Sequence, residues 1–463
     1  MFNFSDPISL IRSGIYIAML MLVGYTILCV IAGPAVDHWL ELLGFSFALG
    51  AGSVSMLLFS VSVIGFKPSK FILVGIALIA LLILIRQWKS NGLIVATVPA
   101  PRGKFDPLTL LGIAGLMVIV ASISNVIAFA NWQGLNDIDS FATWMFKAKI
   151  VTLWPLRPIP LALTVPTLSY SHQDYPLSLP FLVAGLYAAI GHINDQQAKI
   201  LLLPIYLSLI AIIYSSVRSM HRRATAIAIT AIFAAAPTLT ANAGLLVAET
   251  PLILAWTGAI VMLLRWIENR DRGDLILCGL FSALAAFTKN EGLALLPVMA
   301  IIVACMSRKP SAIRNWALAA ATILPWVIYR TFLPKTHEDY GGKFTHAATV
   351  LNNLNRLGFI LPNLFGRLFS GPQMGLIWYV LILTAIMGFR GFRRTSIRVL
   401  WILLIAQLSL YTAAFVVTPW NVTVLINMIG FKLLTQSSPI AALLISLHLQ
   451  EFRWPKRFAT STI

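Results

Sequence analysis

Two carboxylates, Asp137 and Asp139, stand in one short polar stretch with Trp144, Lys147 and Lys149, and a second polar group follows at His172, Asp174 and Tyr175. An acid–base pair can be drawn from such groups, and Lys147 and Lys149 could reach head groups or a lipid phosphate from a helix lying at an interface. Three further positions sit at the ends of apolar runs. Glu249 precedes Thr250-Pro251-Leu252. Lys289 and Glu291 belong to the turn Thr288–Gly292. Lys432 stands near the end of the final apolar run. A close charged pair between two membrane spans is costly unless it is paired or serves a ligand. Each group also has a plainer reading. Asp137 and Asp139 could cap the following helix, and His172–Pro180 could be a polar turn held by local hydrogen bonds. Glu249 could open a helix, Lys289 and Glu291 could form a solvated ion pair, and Lys432 could snorkel.

The elements that must position these residues are membrane helices. Hydrophobic residues make up 59% of the 463-residue chain and charged residues 11%, and mean hydropathy is +0.85. Soluble domains carry about 25% charged residues, so a polytopic membrane protein is indicated. The apolar runs are continuous rather than alternating, which excludes a β-barrel. The fold expected is an all-α polytopic bundle of about 13 transmembrane helices. The candidate spans are 12–33, 42–65, 71–88, 108–130, 198–217, 224–240, 250–267, 274–288, 292–306, 315–333, 373–390, 397–418 and 428–449. Residues 1–107 hold three spans and a basic linker; 108–463 hold the rest. No cleavable signal is evident. Cys29, Cys278 and Cys305 fall in or beside apolar runs, match no metal or redox spacing, and read as small hydrophobes.

The net charge of +18 is topological. Basic residues collect in Lys89–Lys104, Arg218–Arg223, Arg265–Arg272, Arg308–Arg314, Arg390–Arg398 and Arg453–Arg457, between apolar runs rather than on one polar domain, which argues against nucleic-acid binding. If each basic loop is cytoplasmic, the loops 131–197, 241–249, 334–372 and 419–427 lie outside. That alternation requires 177–191 to be a helix along the outer interface rather than a span. It also leaves Lys67 and Lys70 outside, against the usual charge rule. Loop 334–372 carries Lys335, His337, Glu338, Asp339, Tyr340, Lys343 and His346.

These motifs resemble the GT-C superfamily of membrane glycosyltransferases, in particular bacterial relatives of the protein O-mannosyltransferases and the lipid A aminoarabinose transferases. The resemblance rests on Asp139 five residues before Trp144, followed by Lys147-Ala148-Lys149. It rests also on His172, Asp174, Tyr175, Pro176 and Leu177, on Glu249 before Pro251-Leu252, and on Thr288, Lys289, Glu291 and Gly292. It spans about 108–440. The C-terminal end departs from the pattern: Leu425 stands where relatives show a His, and Lys432 where they show an Arg. Lysine keeps the charge but loses the bidentate fork.

The resemblance implies a GT-C-like catalytic region with juxtamembrane helices in the first large external loop, and a hexosyl- or pentosyl-type transfer on the external, periplasmic face of the plasma membrane. A polyprenyl-phosphate sugar would be the donor. A glycan, lipid or protein hydroxyl would be the acceptor. Asp139 would be the base and Asp137 its companion, with Lys289 and Lys432 meeting the phosphate. His172, Asp174, Tyr175, Lys147, Lys149, Glu249 and Glu291 would orient substrate. A divalent cation is allowed but not required. Two other classes share the composition: a lipid-linked saccharide flippase, which should place charges along a path between both faces, and a non-catalytic scaffold of the same fold.

Overall fold

The apolar runs form helices throughout a computed structural model that describes residues 6–31, 38–94, 108–133, 135–307, 309–335, 340–344 and 346–452. Arg102, Lys104, Arg308, the loop residues His337, Glu338 and Asp339, and the basic tail from Arg453 lie outside the described residues. The first four helices are α1 (Pro7–Ile31), α2 (Trp39–Ile64), α3 (Lys70–Asn91) and α4 (Leu108–Trp132). Their ends follow local chemistry. Ser69 accepts from the Ile72 amide to cap α3, and Gly65 ends α2 at φ 114°, a left-handed conformation that glycine adopts without penalty. α1 and α2 cross closely because Gly24 and Gly50 carry no side chain: a Cβ on either would overlap the Ser46 or Leu20 carbonyl oxygen of the facing helix. Small residues at such crossings let membrane helices meet backbone to backbone.

The remaining helices used below are α5 (Phe146–Leu153), α6 (Ser178–Ile190), α7 (Leu202–Arg218), α8 (Arg223–Ala234), α9 (Pro237–Ala243), α10 (Glu249–Asn269), α11 (Arg272–Thr288), α12 (Asn290–Met306), α13 (Pro310–Ala320), α14 (Leu324–Arg330), α15 (Leu357–Leu368), α16 (Ile377–Met387), α17 (Thr395–Val417), α18 (Val422–Thr435) and α19 (Ser438–Glu451). Among the described residues seven helices are long and apolar enough to be single spans, or up to nine if two bent pairs each count as one. α8 and α9 are bent by 72° where Pro237 opens α9, and α18 and α19 by 43° where Pro439 follows the break. The expected spans 292–306, 315–333 and 373–390 are helical but shorter or broken: α12 contains Pro297, and α13 and α14 are separated by a 3₁₀ turn, Ala321–Ile323.

α6 covers the stretch read as a helix along the outer interface. A helix on a lipid surface keeps one face uncovered, whereas α6 is buried at nearly every position and packs against α1, α2 and α5. Composition alone could not separate the two, since both are short and apolar.

The chain has two chemically distinct ends. The 21 residues of α10 span about 30 Å at 1.5 Å per residue, close to the hydrocarbon thickness of a bilayer. Glu249 marks its first end. At the other, Arg265 pairs with Glu41 of α2, and Glu268 pairs with Arg394. Arg394 also reaches Gln450, Gln450 donates to the Met220 carbonyl, and His221 meets the Ser446 carbonyl. The basic turns at 218–223, 265–272 and 390–398 therefore share one end of the bundle. The segment 131–180, the turn at 288–292 and Arg330 gather at the other.

Candidate active site

Asp139 opens a π-helical turn, Asp139–Met145, that runs directly into α5. Such turns are rare and often mark functional positions. The turn buries Trp144 and Met145 and leaves the Asp139 side chain 40% exposed. Asp137 stands just before it, with its carbonyl accepting from the Ser140 and Phe141 amides.

The His172 segment is fastened to this turn from below. His172 adopts φ 50° and ψ 64°, an uncommon left-handed conformation for a residue with a side chain. Its carbonyl accepts from Lys147 Nζ at 2.5 Å. The same ammonium lies 5.5 Å from the Trp144 ring centroid and 5.4 Å from that of Tyr175, within cation–π range. Tyr175 stacks on the His172 ring at 4.5 Å. Burial pushes the Lys147 ammonium down to about 7, against the nearby Asp174 charge, which raises it.

This placement corrects the expected roles of two lysines. Lys147 is fully buried beneath the site and cannot extend to head groups. Lys149 turns to the other side of α5 and pairs with Asp195 at 2.6 Å. Adjacent basic side chains on a short helix point in different directions, so a Lys-Ala-Lys motif does not deliver both to one place.

Four later segments complete the site. Glu249, at the start of α10, accepts from Lys289 at 2.9 Å, and Glu291 pairs with the same ammonium at 2.9 Å. Lys289 is extended between α11 and α12, and Gly292 makes that tight hairpin possible, because a Cβ there would overlap the Ala285 carbonyl. Lys432 of α18 lies 3.1 Å from Asp139 and 3.7 Å from Asp137. Arg330, at the end of α14, donates to Asp174 at 3.0 Å. Each cation is thus already held by carboxylates, two in the case of either lysine. Burial raises the Asp137 carboxyl above the usual carboxylate range, opposed by Lys432.

All of these groups except Lys147 and Lys149 line one cavity of about 1020 Å³. One end is charged. Much of the remaining lining is apolar, supplied by Leu293 and Ala294 of α12, Leu410, Ala414 and Phe415 of α17, and Leu425, Met428 and Ile429 of α18. Leu425, one of the positions at which the sequence departs from the expected family pattern, is part of the cavity itself. No group of three His, Cys, Asp or Glu among the described residues is placed to hold a metal ion, and Asp137 and Asp139 hold Lys432 between them.

Residues 174–336, roughly a third of the chain, match the family described as dolichyl-phosphate-mannose-protein mannosyltransferase. Over this stretch the chain is similar to membrane glycosyltransferases of the GT-C type. No curated protein and no solved structure matches it. The matched stretch carries Asp174, Glu249, Lys289, Glu291 and Arg330, while Asp137, Asp139 and Lys432 lie on either side of it.

Sequence reasoning missed Arg330 and Tyr411. Arg330 had a signal: a cation closing an apolar run at the end away from the basic loops is out of place unless it has a partner. Tyr411 had none. It lines the cavity from mid-helix, and its hydroxyl joins Gln407 at 2.6 Å and Gln436 at 2.7 Å.

Proposed function

We propose that this chain is a glycosyltransferase that moves a hexosyl or pentosyl group from a polyprenyl-phosphate donor to a hydroxyl acceptor on the external face of the plasma membrane, with inversion. The observation that carries this reading is a single cavity with a charged end and an apolar wall. A lipid-phosphate sugar has the same division, since its tail belongs among apolar helices and its head among charges. Among the described residues three acceptor atoms on cavity residues, Asp174 Oδ1, Glu249 Oε2 and Asn290 Oδ1, have no hydrogen-bond partner, and Asp137 Oδ2 has only the Lys432 ammonium at 3.7 Å. Buried acceptors left so are costly, and sugar hydroxyls would supply the missing donors.

In the proposed reaction Asp139 takes the proton of the acceptor hydroxyl. It is the more exposed of the paired carboxylates, at 40% against 25% for Asp137. The freed oxygen attacks the anomeric carbon as the bond to the phosphate oxygen breaks, and the bonding pair leaves with the phosphate. An ammonium has three N–H donors, so Lys289 and Lys432 each keep one beyond their two carboxylates for a phosphate oxygen. The carboxylates oppose the positive charge that develops on the sugar ring. The acceptor, whether glycan, lipid or protein, enters from the Asp139 side.

The test is Asp139→Asn in the purified full-length enzyme, with consumption of a polyprenyl-phosphate sugar as the readout. Removal of a general base should slow transfer by about 10²- to 10⁴-fold with unchanged thermal unfolding. Wild-type turnover in that variant would remove Asp139 from the mechanism.

A further inference from the structure

A second cavity, of about 510 Å³, opens on the side of the bundle between α1, α2, α4, α7 and α8. Its walls are almost wholly apolar, with Phe47, Leu116, Leu207 and Ile227 among them, and its charged and aromatic members are Arg223 and Tyr214. Leu116 and Leu207 are 54% and 40% exposed, so the groove faces whatever surrounds the helices. Arg223 begins α8 at the basic end of the bundle, the end opposite Asp139. Arg218 and Arg223 both act on His38, whose ring lies 5.8 Å from Tyr214 and 6.0 Å from Trp39. Among the described residues neither Arg218 nor Arg223 has a carboxylate partner.

We infer that this groove binds one anionic glycerophospholipid, with an acyl chain along Phe47, Leu116 and Leu207 and the phosphate at Arg218 and Arg223. The choice of occupant follows from charge and depth. An apolar channel alone would take any chain, but the Arg223 guanidinium in its lining, with Arg218 nearby on the same basic turn and bonded among the described residues only to the His221 carbonyl, selects a negative head group. Trp39 opens α2 and Tyr214 lies near the end of α7, both toward the basic end of the bundle, and aromatic residues at helix ends favour a membrane–water boundary. The basic end is the one that the charge distribution assigns to the cytoplasm, where anionic lipids attract such clusters. This site is independent of the proposed transfer reaction, since it shares no residue with the catalytic cavity and lies at the other end of α2.

The experiment is native mass spectrometry of the full chain after exposure to equal amounts of phosphatidylglycerol and phosphatidylcholine. The wild type should retain phosphatidylglycerol in preference. Arg223→Gln should lower that retention by about 5-fold, the loss expected for one cation near a lipid surface. Arg223→Lys should restore most of it, and Arg272→Gln, an exposed change at the same end, should leave it unaltered. Leu116→Trp narrows the groove from its open side without touching the cations and should lower retention as well. Equal retention of both lipids by the wild type overturns the inference. So does full retention by Arg223→Gln or by Leu116→Trp, or an equal loss in Arg272→Gln, which would mean surface charge rather than a built site.

Discussion

Lys147 shows how a residue can be tied to a site without entering it. Its ammonium joins the π-helical turn to the His172 segment, at the cost of burying a charge. With its protonation in the folded chain lost near pH 7 and in the unfolded chain only near about 10.4, the unfolded state binds more protons between those values. Unfolding free energy must then rise with pH over that window. Lys147→Met should flatten this rise, measured as melting temperature in detergent from pH 6.5 to 9.5. It should also lower overall stability by about 1 kcal/mol through the lost hydrogen bond. An unchanged slope would mean that Lys147 does not titrate there.

Lys432 carries a different lesson at the same scale. It bridges Asp137 and Asp139. Lys432→Met should strand two carboxylates and reduce transfer by about 10²-fold or more. Lys432→Arg, which keeps the charge and adds a planar fork, should stay within a few-fold of wild type. Activity assays of the two variants side by side check the ordering, and equal loss in both would mean that charge alone does not explain the position.

Elements decide how far apart such groups can be in sequence and still meet. The α11–α12 hairpin presents Lys289 and Glu291 only because Gly292 allows α12 to start against the Ala285 carbonyl. Gly292→Ala should shift α12 by a few tenths of an ångström or more and reduce transfer while the protein stays folded, with Gly366→Ala, where a Cβ meets nothing, as the control. The crossing of α1 and α2 is less forgiving. Gly24→Val pushes a side chain into the Ser46 backbone, so the yield of monodisperse protein should fall steeply, whereas Gly14→Val, in open space on the same helix, should purify like wild type.

The whole molecule separates its charges. Leu252–Leu264, the middle of α10, contains no ionisable side chain, and the acid-rich cavity and the basic turns lie at its two ends. A route for a charged head group between the faces would need polar groups along that length. By the positive-inside rule we propose that the basic end is the cytoplasmic one. Single cysteines at Gln133, after α4 beside the cavity, and at Phe389, among the basic turns, should therefore label from opposite sides of sealed vesicles once Cys305, the exposed native thiol, is replaced. Labelling of both from one side would refute the two-ended arrangement.

Hydropathy is additive along a stretch of chain, so the sequence by itself determined that the molecule is a helical membrane protein and where its basic turns and polar segments lie. It also singled out Asp137, Asp139, His172, Asp174, Tyr175, Glu249, Lys289, Glu291 and Lys432, because charges beside apolar runs are conspicuous. Partnership is not additive. Which cation meets which carboxylate depends on bends at Pro237 and Pro439 and on glycine contacts between helices. Only the tertiary structure brought Lys432 to Asp139 across 293 positions, sent Lys149 to Asp195, buried Lys147 and α6, and recruited Arg330 and Tyr411.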